Sequence, residues 1–210
     1  MNTPTPTSVV SLREVTRENL RAVCKLTVSE AQNKFVAPNT VSIAQAHFYP
    51  EKAWFRAIYA DETPVGFLML SDEPRKPMYF LWRFMIATEY QGLGFGKQAI
   101  QLLINYVKTR PQATELFVSY VPGEGSPGEF YHKLGFVDTG EMEDDENVAG
   151  LVLTYGAGEA PAPALGKPLT HIVLFKLLDT SAANIERVTA KLRTLEGNVP
   201  TLNSIEVGTN

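Results

Sequence analysis

The run Gln91-Gly92-Leu93-Gly94-Phe95-Gly96-Lys97 is the part of this 210-residue sequence whose residue types and spacing best suit chemistry. Glycines at alternate positions let a backbone approach an anion closely. The first amides of a helix opened by such a turn have no intrahelical acceptor and point outward. A phosphate is the expected guest. Two common phosphate loops do not fit: Gln98 follows Lys97 where a Walker loop needs a magnesium-binding Ser or Thr, and Ala99 does not supply the third glycine of a dinucleotide loop.

Three other groups stand out. Arg83 lies between Trp82 and Phe84 in an apolar strand, where a guanidinium needs an anion or water. Tyr131 sits in the helical stretch Glu129-Phe130-Tyr131-His132-Lys133-Leu134-Gly135-Phe136. Glu141 with Glu143-Asp144-Asp145-Glu146 places five acids in six residues, against a formal net charge of −4 for the whole chain. That run suits either a solvated hairpin tip or the steering of a cation, which salt would screen. His47, His132 and His171 are scattered and make no metal constellation, so no metal is expected. Cys24 is the only cysteine, which excludes an intrachain disulfide and fits a packing residue in a reducing, cytoplasmic setting.

The elements that must position these groups follow from periodicity. Val9 to Val15 reads as a strand. Thr16 is expected to cap a helix carrying Leu20, Val23, Cys24 and Val28, and Ser42 to start a second, short helix. Trp54 to Ala60 and Val65 to Leu70 read as a hairpin around Asp61-Glu62-Thr63-Pro64, and Met78 to Ala87 as a further strand. Ala99, Leu102, Leu103 and Tyr106 give the helix after the glycines one apolar face. Leu116 to Val121 is a strand; Ser126-Pro127-Gly128-Glu129 is a helix start; Val137 onward and Val148 to Thr154 are two last strands.

Residues 1–8 read as a disordered tail and 9–155 as one α/β domain. Residues 156–166, almost wholly Gly, Ala and Pro, read as a linker. Beyond it, His171 to Leu177 and Ser204 to Val207 are strand-like around a helix with Ile185, Val188, Leu192 and Leu195 on one face. Hydrophobic residues at 44% support a folded core, and Lys plus Arg at 19 against 23 acids give nucleic-acid binding no support. No apolar run reaches the ~20 residues of a membrane span.

Gln91-x-x-Gly94-x-Gly96 after the strand Leu81 to Ile86, followed about 35 residues later by the Gly135-Phe136 helix end, resembles the two signatures of the GCN5-related N-acetyltransferases. Gln32 through Asn39, Trp82 through Ile86, Tyr90-Gln91-Gly92 and Thr139-Gly140-Glu141 resemble the bacterial spermine/spermidine acetyltransferases within that family. The resemblance implies a mixed central sheet flanked by helices and direct transfer of an acetyl group from acetyl-CoA to a small-molecule amine, a polyamine first. It implies Tyr131 as the acid for the departing thiol, and Met85 and Ile86 as backbone partners of the pantetheine arm. Gln91, Gly92, Leu93, Gly94, Phe95, Gly96 and Lys97 would hold the pyrophosphate, with Lys133 near the nucleotide. Trp82, Arg83, Glu30 and Glu141 would face the amine.

Three positions depart from the pattern: Glu124 stands for an Asn, Pro127 for an Ala and Trp82 for an Asp. Residues 167–210 resemble the first half of a stress-responsive dimeric α/β-barrel domain of the ferredoxin-like kind, which implies a homodimer formed through that segment. Two other readings remain open: an N-acetyltransferase for an aminoglycoside, amino acid or protein N-terminus, and a non-catalytic acyl-CoA-binding module.

Overall fold

In the computed structural model, the apolar runs between Ala53 and Ile86 form three consecutive antiparallel strands, β2 (Ala53–Ala60), β3 (Thr63–Glu73) and β4 (Met78–Ile86). Their alternate residues enter two cores. Ile58, Leu68, Leu70 and Leu81 face one side, whereas Ala57, Tyr59, Phe67 and Met69 face the other. Burial on both faces is why these strands read as continuous hydrophobic stretches rather than alternating ones. β1 (Val10–Arg13), β5 (Glu115–Tyr120), β6 (Val137–Glu143) and β7 (Glu146–Val152) complete a seven-stranded sheet of order β1-β2-β3-β4-β5-β7-β6.

Helix α1 (Leu20–Lys25) and helix α2 (Asn39–Ala46) bury Val23 and Ala46 in the second core. Helix α3 (Phe95–Lys108) lays Phe95, Ala99, Ile100, Leu103 and Val107 on the first, and helix α4 (Gly128–Lys133) adds Tyr131. The described residues are 3–73, 75–156, 159–162 and 181–193. The chain divides into two units, Met1–Leu165 and Gly166–Asn210; in the second, helix α5 (Ala182–Arg193) half-buries Ile185 and Val188 and exposes Glu186 and Arg187. The strand-like stretches expected at His171–Leu177 and Ser204–Val207 lie outside the described residues. Among the described residues no helix is long and apolar enough to cross a membrane.

Several expected boundaries shift for local reasons. The Asn19 side chain accepts the Thr16 N–H at 2.7 Å and donates to the Glu14 carbonyl at 2.9 Å, holding a turn where a helix cap at Thr16 was expected. Helix α1 therefore starts at Leu20 and stops at Lys25, leaving Val28 outside it. Helix α2 begins at Asn39 rather than Ser42, because Pro38 at ψ of 145° stands just outside it as the cap residue and the Ser42 hydroxyl bonds back to the Pro38 carbonyl at 3.3 Å. Residues 3–8 are turned rather than disordered, with the Thr5 N–H on Ser8 Oγ at 3.0 Å and Ser8 buried. Ala162, in the expected linker, forms a parallel bridge with Pro111.

The sheet comes apart between β4 and β5. β4 and β5 run parallel but pair only at Phe80 with Phe117 and Leu81 with Val118. On its other side β4 keeps pairing with β3 as far as Gly66 with Ile86, and the register slips between Met69/Arg83 and Leu70/Leu81, so Trp82 is an extra residue. Such a bulge bends its strand and re-phases the side chains. Before it, Tyr79 and Leu81 face the first core; after it, Phe84 and Ile86 do. Trp82 and Met85 both join the second core.

Gly66 permits this close pairing. A Cβ there would meet the Met85 carbonyl oxygen and lie 2.8 Å from Ile86 Cδ1. Gly66→Ala is expected to lower stability by about 1–3 kcal/mol, the usual cost of overpacking, read as a lower midpoint in urea denaturation. An unchanged midpoint would show that β3 and β4 separate there without cost.

Candidate active site

Divergence of β4 from β5 opens a cleft of about 760 Å³. One wall is β4 from Leu81 to Ile86 and the opposite wall is Val118, Ser119 and Tyr120 of β5. Beyond Leu81 the backbone of β4 has no β5 partner, so the edge of this strand stays available to an extended guest. At one end the glycine turn leads into α3. Gly92 and Gly94 sit at φ of 76° and 82°, the left-handed region that glycine adopts without steric cost. A Cβ at either position would meet nothing within 4 Å, so conformation, not crowding, calls for glycine there.

Gln91 acts inside the protein. Its Nε2 donates to the Ile86 carbonyl at 2.8 Å and to Gln32 Oε1 at 3.0 Å. One side chain thus ties the end of β4, the glycine turn and the short turn Glu30–Gln32 together. Gly96 is in contact with an aromatic pair: a Cβ there would be 3.3 Å from Phe130, which stacks on Phe84 with centroids 5.7 Å apart.

Helix α4 brings Tyr131 to the cleft. Ser126 supports the start of this helix from two residues upstream, its hydroxyl accepting the Gly128 N–H at 3.2 Å and donating to the Val121 carbonyl at 2.6 Å. The helix proper begins at Gly128, whose missing Cβ makes room for the Tyr120 ring. Tyr131 is buried among Phe130, Phe136 and Tyr120, and burial first, then the negative charge of Glu146, raises its pKa well above the ordinary tyrosine value. It therefore keeps its proton at neutral pH. Arg83 is half-buried, with Nη1 on the Trp82 carbonyl at 2.6 Å, Nη2 on Gln45 Oε1 at 3.2 Å and Nε without a partner among the described residues. Burial lowers its pKa, and Glu146 acts in the opposite direction.

A model of the acetyltransferase (GNAT) family matches residues 18–136, more than half of the chain. The chain belongs to that family. It is therefore an N-acetyltransferase that takes its acyl group from acetyl-CoA. The spermine/spermidine N(1)-acetyltransferase of Bacillus subtilis (strain 168) is 27% identical over 143 residues, which cover 64% of this chain and 91% of that protein. The spermidine N-acetyltransferase of Vibrio cholerae, solved in complex with CoA and spermine, superposes with a TM-score of 0.55 at 16% identity, covering 69% of this chain and 95% of that one. The PaiA N-acetyltransferase of Thermoplasma acidophilum, solved with coenzyme A, gives a TM-score of 0.53 at 16% identity over 69% and 99% of the two chains. At these identities the two solved structures speak to the fold of this acetyltransferase alone.

Of the residues singled out by sequence, Trp82, Arg83, Met85, Ile86, Gln91, Gly92, Gly94, Phe95, Gly96, Lys97 and Tyr131 all line the cleft. Leu93, Glu30, Lys133 and Glu141 do not. Leu93 packs toward the first core, and Glu30 is exposed at the start of its turn. Lys133 is exposed and pairs with Glu129 at 3.2 Å. Glu141 projects from β6, an edge strand exposed along its whole length and separated from the cleft by β7. The acid that does line the cleft is Glu146, the first residue of β7, whose carboxylate accepts a hydrogen bond from Ser119. Among the described residues no cluster suited to a metal ion is present.

The glycine turn yields a direct test. An alanine at Gly94 must hold a left-handed φ at about 1–2 kcal/mol, which corresponds to roughly tenfold weaker binding if the turn must keep its shape for the ligand. Calorimetry with coenzyme A is expected to show that loss for Gly94→Ala with an unchanged circular dichroism spectrum. Equal affinity would take the turn out of the binding site.

Proposed function

We propose that this acetyltransferase acetylates a primary amine, with a polyamine such as spermidine as the first acceptor to consider, by direct attack of the amine on the thioester. The observation that carries the catalytic part is Tyr131, protonated, in the cleft beside a strand edge that has no β5 partner. In this reading the stretch of β4 without a β5 partner, around Met85 and Ile86, holds the pantetheine amides as an added strand would be held. The turn Gly92 to Lys97 receives the pyrophosphate at the start of α3. Bringing the thioester and amine together in fixed geometry is the main service of such a site, since no enzyme nucleophile intervenes. Tyr131 donates its proton to the sulfur as the carbon–sulfur bond breaks.

The polyamine choice is supported by the Bacillus subtilis relative and by a carboxylate in the cleft. A monoamine acceptor is the second reading. Glu146 is the one carboxylate lining the cleft among the described residues, and a single carboxylate matches one ammonium rather than several. A homodimer joined through residues 167–210 belongs to the proposal as the sequence resemblance implies it, and the sedimentation mass of the purified chain reads it.

Thiol release from acetyl-CoA across polyamines, amino acids and aminoglycosides is expected to be fastest with spermidine or spermine. A better rate with any monoamine would favour the second reading. Tyr131→Phe is expected to lower kcat about 10²-fold while coenzyme A binding is kept. An acid works only while protonated, so its contribution is lost as pH rises through its pKa. Because that pKa is raised, the alkaline fall in kcat should come above the ordinary tyrosine value of about 10. A limb at or below that value would remove Tyr131 from the role.

A further inference from the structure

The acidic run at the β6–β7 hairpin is not uniform. Glu141, Glu143, Asp144 and Asp145 are exposed, whereas Glu146 is half-buried and turned into the cleft. The reason is register. β6 ends at Glu143, Asp144 takes φ of 52° in the two-residue turn, and Glu146 opens β7 opposite Glu143. β7 then pairs with β5, Asn147 against Tyr120 and Val148 against Ser119. That pairing delivers the Glu146 carboxylate to the Ser119 hydroxyl on the cleft wall. The serine donates to one carboxylate oxygen, which holds the group in place and leaves the other oxygen free for a guest.

We propose that Glu146, held by Ser119, is the catalytic carboxylate that receives the acceptor amine and takes up the proton its nitrogen sheds. This inference rests on the acetyltransferase reading above. As the nitrogen lone pair forms the new carbon–nitrogen bond, the nitrogen becomes cationic and much more acidic, and one proton passes to the Glu146 carboxylate. The carbon–sulfur bond then breaks, its electron pair leaves with sulfur, and the Tyr131 proton goes to that sulfur. Return of the proton from Glu146 to the Tyr131 phenolate restores both groups. The balance is amine plus acetyl-CoA to acetamide plus coenzyme A. An acceptor that arrives as ammonium releases one further proton to solvent.

The surroundings agree with this assignment. Glu146 lies close enough to Tyr131 and Arg83 for its charge to act on both. A direct transfer needs a base for the attacking nitrogen and an acid for the leaving sulfur, and both groups line this one cleft. The other charged or titratable groups lining the cleft are Lys34, Arg83, Tyr90, Lys97, Tyr120 and Tyr131, so Glu146 has no carboxylate rival there among the described residues.

The test is steady-state kinetics of Glu146→Gln, Ser119→Ala and Asp145→Asn with acetyl-CoA and spermidine, or with the best amine of the panel if spermidine is not turned over. Coenzyme A affinity by calorimetry checks that each variant is folded. Glu146→Gln is expected to lose about 10²-fold or more in kcat near neutral pH. The deficit should shrink as pH rises, because hydroxide can then take the proton that Glu146 takes in the wild type. Ser119→Ala should show a smaller loss of the same pH form, and Asp145→Asn none. An unchanged kcat for Glu146→Gln, with or without a raised KM, overturns the proposal, as does a loss that is independent of pH. Turnover by the wild type alongside an unaffected Glu146→Gln sinks only this inference. Silence of the wild type with every amine sinks the acetyltransferase reading of the site together with it.

Discussion

Two pairs of residues, Phe80 with Phe117 and Leu81 with Val118, are all that join β4 to β5. Beyond them the strands part, and the cleft is the gap that results. An ordinary parallel pair would continue its hydrogen bonds and leave no cleft. Here the extra residue at Trp82 turns β4 while β3 still follows it, so one side of the strand stays in its ladder and the other has no strand partner beyond Leu81. Unpaired backbone in a half-buried place is costly in the free protein unless water or a ligand partners it. In the proposed function the same gap is where the donor's amides are held.

The rest of the architecture keeps the gap open and furnished. Gln91 holds the end of β4 to the turn Glu30–Gln32. Asn39, fully buried at the start of α2, donates to the Val23 carbonyl at 2.9 Å and so joins α2 to the end of α1 beneath the same strand. Phe84 and Phe130 stack across the space between β4 and α4. These contacts come from distant parts of the chain, which is why the local sequence around each looks unremarkable.

Much of this was readable from residue types. The spacing of Gly92, Gly94 and Gly96, the apolar face of α3 and the run of β2 to β4 each carry a period or a turn that physics ties to one conformation. The bulge at Trp82 was not readable, because Leu81-Trp82-Arg83-Phe84 is uniformly large and mostly apolar and carries no sign of an inserted residue. The acids illustrate a second limit. Glu141 and Glu146 look equivalent in a run of carboxylates, and only the pairing of β7 with β5 separates one that meets solvent from one that meets Ser119. Cap residues were the third. Thr16 and Ser42 have the right chemistry for helix starts, but Asn19 and Pro38 set the boundaries instead.

Gly96 and Phe130 stand in different halves of the chain's signature, one in the glycine turn and one beside Tyr131, yet they touch. The space a side chain at position 96 would need is already filled by the ring at 130, and that ring also borders Tyr131 with centroids 5.4 Å apart. A side chain at the turn would press on that ring, and a smaller residue at 130 that relieved the contact would withdraw one of the rings that wall in the buried tyrosine. The glycine turn and the wall around Tyr131 therefore meet at a single ring, and a change at either is felt at the other.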